Sequence, residues 1–451
     1  MKKLIVIFTI LNIGLCSAQT RFTRQQLIND ADTLYQAINE IHPNPYYQYS
    51  KKDFDREFNE LKHNLRDSMT SMDFYNLITP LVAKLNDGHT NITPYASRSQ
   101  EQKLFPFRIN ISDKHEIFVI DSYGKTKLPK GTQITYINGK NSKDIIKELL
   151  RYIFGETDYF KKNYLQLKFS DYYANTYGYS SFKIGYIDEQ GKSRNMDTNG
   201  VDTDVVEKAL GSLLSFEKTL DLTLDETNKI AILSFNSCDI PVEFAQDFFK
   251  TSFDSINKMG IEYLIIDARF NGGGTDLVGN DLLMYISDVP FKQYDGTDTK
   301  ISYQLAKSHP WYQNNEAIWD RLRKEGPFII PKEEEDRYFL DPYPDSVRFH
   351  GKKFLLTGFL NFSAATDFSW AFWKFGLGTV IGEETGGLGH SFGASLNSVL
   401  PNTRLKYNVS NKLFYNYKAD KNSVHGVKPD IEIPYEEALD YTINAIKNGK
   451  L

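Results

Sequence analysis

The sequence predicts an α/β protein with an N-terminal helical domain and a β-rich module ahead of the α/β region. Three observations point there. Apolar residues recur at helical spacing across residues 22–90. Strand-like runs and an Asn-Gly turn dominate residues 105–220. From residue 228 onward, unbroken apolar runs such as Tyr263-Leu264-Ile265-Ile266-Asp267 alternate with helix-forming stretches. That alternation implies a parallel sheet with crossover helices, its strands buried on both faces. The divisions fall at 1–18, 19–100, 101–220 and 221–451.

Residues 1–18 predict an export signal. Met1-Lys2-Lys3 is basic, Leu4 to Leu15 is apolar with one asparagine, and Cys16-Ser17-Ala18 supplies small residues. Cleavage after Ala18 gives a periplasmic or secreted protein with no integral membrane segment. A short anchor is the alternative, but the segment is too short to span comfortably. A lipid-modified Cys16 would want a small residue where Leu15 stands. After cleavage only Cys238 remains, so no internal disulfide forms. The 53 basic and 58 acidic residues give a net charge of −5, nearer −7 without Lys2 and Lys3. With no basic block, a nucleic-acid partner is not expected. Two cysteines cannot build a cysteine zinc site, and 41% apolar residues exclude a disordered chain.

Leu27, Ala31, Leu34, Tyr35, Ile38 and Ile41 mark the first helix, stopped by His42-Pro43-Asn44-Pro45. A charged amphipathic helix is expected at residues 52–69. A third carries the stripe Phe74, Leu77, Ile78, Leu81, Val82 and Leu85, with a kink at Pro80. Asn86-Asp87-Gly88 ends it, Gly88 being suited to a left-handed cap. His89 therefore sits just past a helix end. In the β-rich module, 108–111, 117–120 and 132–137 read as strands and 142–153 as a helix, followed by more β-like, tyrosine-rich sequence. In the α/β region, strands are expected at 229–235, 263–267, 353–357 and 379–382. Helices are expected at 242–259, from Thr275, and at 364–375, with 295–350 an excursion from the core.

Three places can carry chemistry. Asp267 to Thr275 puts Gly272-Gly273-Gly274 directly after a buried strand, where bare amides can face an oxyanion or phosphate. No Walker lysine or dinucleotide glycine spacing follows, and a plain turn is the alternative. Ser363 lies at a strand-to-helix junction, in the manner of a nucleophile elbow though without its glycines. A serine there also commonly serves only as an N-cap. His89 offers a neutral imidazole base; His390 and His425, each beside glycine, are rivals.

Together these segments resemble the carboxyl-terminal processing (tail-specific) serine protease family, which includes the tricorn core proteases. Asp267-Ala268-Arg269-Phe270-Asn271-Gly272-Gly273-Gly274 is similar to its D-x-R-x-N-x-G-G loop, and Ser363-Ala364-Ala365-Thr366-Asp367 to the start of its nucleophile motif. Gly382-Glu383-Glu384-Thr385-Gly386-Gly387 is similar to G-E-x-T-x-G, and Gly426-Val427-Lys428-Pro429-Asp430-Ile431 to G-V-x-P-D-I. Pro129-Lys130-Gly131-Thr132 running into Ile137-Asn138-Gly139 is similar to a PDZ segment. The resemblance covers about 220–451. It implies a crotonase/Clp-protease-like catalytic domain with a PDZ-like module. Many members place a lysine base 25 residues after the serine; Leu388 stands there and takes no proton. The tricorn-like branch instead uses a histidine, which the resemblance places at His89. Gly88 replaces that branch's preceding serine. Near Gly426, Asp420 and Ser423 stand where a glutamate is expected.

The resulting expectation is an exported serine endopeptidase acting on unfolded or C-terminal segments of a peptide or protein substrate. Ser363 is the nucleophile and His89 the base. The N–H groups of Gly272 or Gly273 and of Ala364 receive the oxyanion, and no metal or cofactor is required. The alternative is a catalytically silent relative that binds peptides or lipids. A crotonase-type acyl-CoA enzyme is a third reading, disfavoured by export.

Overall fold

The computed structural model describes residues 20–93, 103–178, 181–214, 218–334 and 338–451. The expected signal segment lies outside them, as does Cys16. Capping boxes at Thr23 with Gln26 and at Thr70 with Asp73 start the helices Arg24–Ile41 and Ser71–Val82. Ser50 caps Lys51–Asn64 between them. That middle helix stops short of its expected end at 69, because Met69–Thr70 pairs with Arg21–Phe22 as a short antiparallel ribbon. Leu27, Ala31, Leu34, Ile38 and Ile41 join Phe54, Phe58, Phe74 and Ile78 in one core. Leu77, part of the expected stripe, is exposed instead.

The turn after Pro80 tightens into the 3-10 turn Ala83–Leu85. The left-handed cap is Asn86 (φ 54°, ψ 47°), not Gly88. Asparagine tolerates this region, and Gly88 answers a different demand, described below.

The β-rich module is an antiparallel sheet in the order Ser193–Asn199, Ser181–Ile187, Gln133–Ile137, Ile117–Ser122, Phe107–Ile111. The tyrosine-rich stretch read as β-like is the 20-residue helix Asp158–Tyr177. Its buried Leu165, Phe169 and Tyr173 fall on one helical face. Strand preference of aromatic residues reflects the surface they pack against, so helical spacing prevails here.

The α/β region holds a six-stranded sheet in the order Leu220–Asp225, Ile230–Phe235, Tyr263–Asp267, Lys352–Thr357, Thr379–Gly382, Ile431–Glu432. The first pair is antiparallel and the rest are parallel. Phe235, Phe249, Phe253, Leu282 and Phe368 pack one face; Ile230, Ile265, Leu356 and Ile381 meet Ala438 and Ile446 on the other. A second sheet, not anticipated, is built on the hairpin His390–Val399 and Lys406–Asn416. The excursion joins it through Tyr294–Ile301, and Asn91–Thr93, just past His89, pairs with Lys406–Asn416. Among the described residues, no helix is long and apolar enough to cross a membrane.

Candidate active site

Ser363 follows the central strand Lys352–Thr357 and opens the helix Ala364–Lys374. Its backbone is at φ 53°, ψ −134°, and its side chain makes no capping hydrogen bond. The N-cap alternative therefore does not apply. Such a backbone costs about 1–3 kcal/mol and persists only when its surroundings enforce it. They do: Asn361 Nδ2 donates to the Ala268 carbonyl at 2.9 Å, Thr366 Oγ1 to the Asn361 carbonyl at 2.9 Å, and the Phe362 N–H to the Asn271 carbonyl at 3.0 Å.

The glycine loop is locked against this turn. Arg269 grips Asp267 through two bonds of 2.8 and 2.7 Å and donates a third to the Tyr435 carbonyl at 2.6 Å. Asn271 Nδ2 donates to the Phe235 carbonyl at 3.0 Å. Gly273 (φ +100°) lies so close that a Cβ there would stand 2.7 Å from Ser363 Cβ. The expected oxyanion donors differ in availability. The Gly273 N–H is donated to Asn271 Oδ1 at 2.9 Å. The N–H groups of Gly272 and Ala364 have no partner among the described residues. Ala364 N–H is also an orphan donor of a helix first turn, where the dipole favours negative charge. Cys238 is buried behind the loop, and burial pushes its thiol up to about 12.

His89 arrives from the other side. Its N–H donates to Asp87 Oδ1 at 2.8 Å, while Asp87 Oδ2 accepts from His42 Nε2 at 3.1 Å and Ser410 Oγ at 2.6 Å. The Asn44 N–H donates to His42 Nδ1 at 3.0 Å, which puts the His42 proton on Nε2. Burial opposes the Asp87 charge, but His42, His89 and Ser410 outweigh it and hold the carboxyl well below the usual range. The His89 ring stacks on Phe362, the residue before Ser363, with centroids 5.0 Å apart and planes at 26°. Phe362 in turn stacks on Phe160 at 5.0 Å. This explains Gly88: a Cβ there would stand 2.7 Å from Phe362 Cζ. Burial lowers the His89 pKa, against the Asp87 charge and the Phe392 carbonyl, so the ring is neutral at neutral pH.

Residues 229–433 match Peptidase family S41. That segment holds the glycine loop and Ser363, and the match supports a serine-type peptidase. Across most of its length the fold is similar to mature CPAF complexed with lactacystin, at 14% identity and TM-score 0.65, covering 94% of this chain and 99% of that one. It is likewise similar to mature CPAF at 13% identity and TM-score 0.64, covering 94% and 98%. The photosystem II D1 C-terminal processing protease aligns at 12% identity and TM-score 0.46, covering 94% and 98%. No curated protein matches the sequence.

The rival histidines sit elsewhere. His390 packs on Tyr47 and Tyr415, and His425 is exposed with Glu384 Oε1 at 3.7 Å. Leu388 is buried. Asp420 and Ser423 hydrogen-bond to each other in an exposed turn, and Asp420 bears on His390. Sequence reasoning missed His42 and Ser410, which meet Asp87 only through the fold, and Glu156, which the fold brings beside Gly88 and His89. Glu156 Oε1 accepts the Gly88 N–H at 3.3 Å, and Asp87, His89 and Glu156 each offer a donor atom within 4.8 Å of the others. As a cation site the trio is poor, because both Asp87 oxygens already accept hydrogen bonds. A cleft of ≈ 410 Å³ opens beside Gly88 and Phe362, walled by Tyr75, Phe154, Phe160 and Tyr164.

Proposed function

We propose that this chain is an exported serine endopeptidase that cleaves unfolded or C-terminal protein segments, with Ser363 as nucleophile and His89 as general base. The observation that supports the reading is the stack of the neutral His89 ring on Phe362, the residue before a strained serine whose side chain makes no capping hydrogen bond. Ser363 Oγ attacks the peptide carbonyl; His89 takes the proton and returns it to the leaving amine. The free N–H groups of Ala364 and Gly272 receive the oxyanion; each such donor is worth roughly 10²–10³ in rate. Gly273 N–H joins them only if its bond to Asn271 opens. The aromatic cleft beside Phe362 suits an apolar substrate side chain. The basic, apolar and small-residue succession over 1–18 supports export to the periplasm or beyond.

Ser363→Ala should abolish both hydrolysis of an unfolded protein and labelling by a fluorophosphonate, while leaving the melting temperature unchanged. Hydrolysis persisting in that variant rejects the assignment. A silent, peptide- or lipid-binding relative would instead leave the wild type unlabelled.

A further inference from the structure

We propose that Glu156 is the positioning acid of His89, accepting its Nδ1 proton as Ser363 is deprotonated. The inference rests on His89 being the base. His89 Nδ1 is buried without a hydrogen-bond partner, and so is Glu156 Oε2. Both side chains belong to the group whose donor atoms lie within 4.8 Å of one another. Leaving a buried polar atom unpaired is costly, so an unpaired ring nitrogen and an unpaired carboxylate oxygen on two side chains of one cluster point to a contact made when the ring becomes charged.

Asp87 is the obvious competitor, and its geometry argues against it. Its Oδ1 is 4.0 Å from His89 Nδ1, too far for a hydrogen bond. That oxygen is already held by the His89 backbone N–H, and Oδ2 by His42 and Ser410. Glu156 is arranged the other way. Its Oε1 takes the Gly88 N–H, which fixes the carboxyl against the peptide preceding His89, and its Oε2 is left over. Asp87 thus holds the backbone of His89, and Glu156 serves its ring. The acid comes from the segment leading into the helix Asp158–Tyr177, not from the region before Gly426.

The proton balance sets a condition. With Glu156 ionised, Nδ1 carries the hydrogen and donates it, so Nε2, which in the resting state faces the Phe392 carbonyl, is freed of its proton and can turn a lone pair to Ser363. The serine proton then moves to Nε2 and the carboxylate faces the imidazolium. With Glu156 neutral, its O–H donates to Nδ1, the ring hydrogen sits on Nε2, and the base is blocked. Burial and the Asp87 charge push Glu156 up to about 8, against the N–H groups of Gly88 and Glu156 itself and the charge of Lys161. Activity should therefore climb with pH through that value.

The test measures fluorophosphonate labelling rate and peptide kcat and KM from pH 5 to 10 for wild type, Glu156→Gln, Glu156→Asp and Asp87→Asn. Glu156→Gln should lower kcat by about 10³–10⁴, as a wrong tautomer does, leave KM within about threefold, and erase the rise near pH 8. Glu156→Asp should restore part of the rate and keep an ionisation. Should Glu156→Gln fail to fold, the aspartate variant still decides, since a bystander would give an unchanged profile. Wild-type rate and profile in Glu156→Gln, or loss of the alkaline rise in Asp87→Asn alone, overturns the proposal and leaves His89 standing. An unlabelled wild type overturns both.

Discussion

Ser363 keeps its φ of 53° only because its neighbours leave no other room, and Gly273 is the nearest of them. A Cβ at Gly273 would meet Ser363 Cβ at 2.7 Å, the Phe362 carbonyl at 2.8 Å and the Ala364 N at 3.0 Å, on a backbone at φ +100°. Those atoms belong to the proposed nucleophile and its proposed oxyanion donor, so the strain cannot be absorbed harmlessly. Gly273→Ala is expected to lower kcat/KM by at least about 10², the worth of one oxyanion donor, and to lower the melting temperature. Unchanged labelling kinetics in that variant would mean that the loop does not set the serine. At this scale the sequence was legible where chemistry is local. Ser363, Gly272, Gly273 and Ala364 lie in short segments whose residue types state their own constraints. Glu156, His42 and Ser410 carry no such mark: a glutamate before a helix cap and a serine in a strand acquire meaning only from folding beside residue 89.

The segment 86–93 behaves as a clamp strung between two larger elements. The helix Ser71–Val82 and its 3-10 turn set one end, and the pairing of Asn91–Thr93 with Lys406–Asn416 sets the other. That hairpin also presents Ser410 to Asp87, so its seat on the helical domain governs where His89 sits. Asp30 provides the seat. Its buried carboxylate accepts from Thr403 N–H at 2.7 Å, Thr403 Oγ1 at 2.6 Å, and Asn402 N–H at 2.9 Å. Asp30→Ala leaves the buried Thr403 groups unpaired and should cost about 2–4 kcal/mol, read as a lower melting temperature with a smaller fall in kcat. A melting curve matching wild type would assign the seat to apolar packing alone. The elements were legible wherever breakers agreed with periodicity, as at His42 to Pro45. The helix Asp158–Tyr177 was hidden by aromatics whose strand preference is set by what they pack on. The hairpin was missed because its polar, half-exposed strands show no clean alternation: Asn408, Ser410 and Asn411 are polar yet lie against other elements.

Three buried carboxyls tie the site to the stability of the whole molecule, and they pull in opposite directions. Burial pushes Asp367 up to about 7, although Asn416 Nδ2 and Tyr294 Oη each donate to it at 2.8 Å. Glu156 is pushed up to about 8. Between pH 5 and 8 the folded chain holds protons at these sites that the unfolded chain has released, so stability falls as pH rises. Asp87 has the opposite sign: its depressed pKa contributes stability above the unfolded value near 4 that is lost as pH falls below it. The folded state should therefore be most stable at mildly acidic pH, whereas the proposed ionisation of Glu156 favours catalysis on the alkaline side. The melting temperature is expected to drop between pH 5.5 and 8.5, and Asp367→Asn should flatten that drop. Its amide would still accept from Tyr294. Its new N–H₂ would find Asn416 Oδ1, which now has no partner, once that side chain turns over. Three pKa units on a fully buried group correspond to about 4 kcal/mol as an upper bound, so the difference should be plain in thermal scans of the two proteins. Equal slopes for wild type and variant would remove Asp367 from the balance, leaving Glu156 to account for the whole pH dependence.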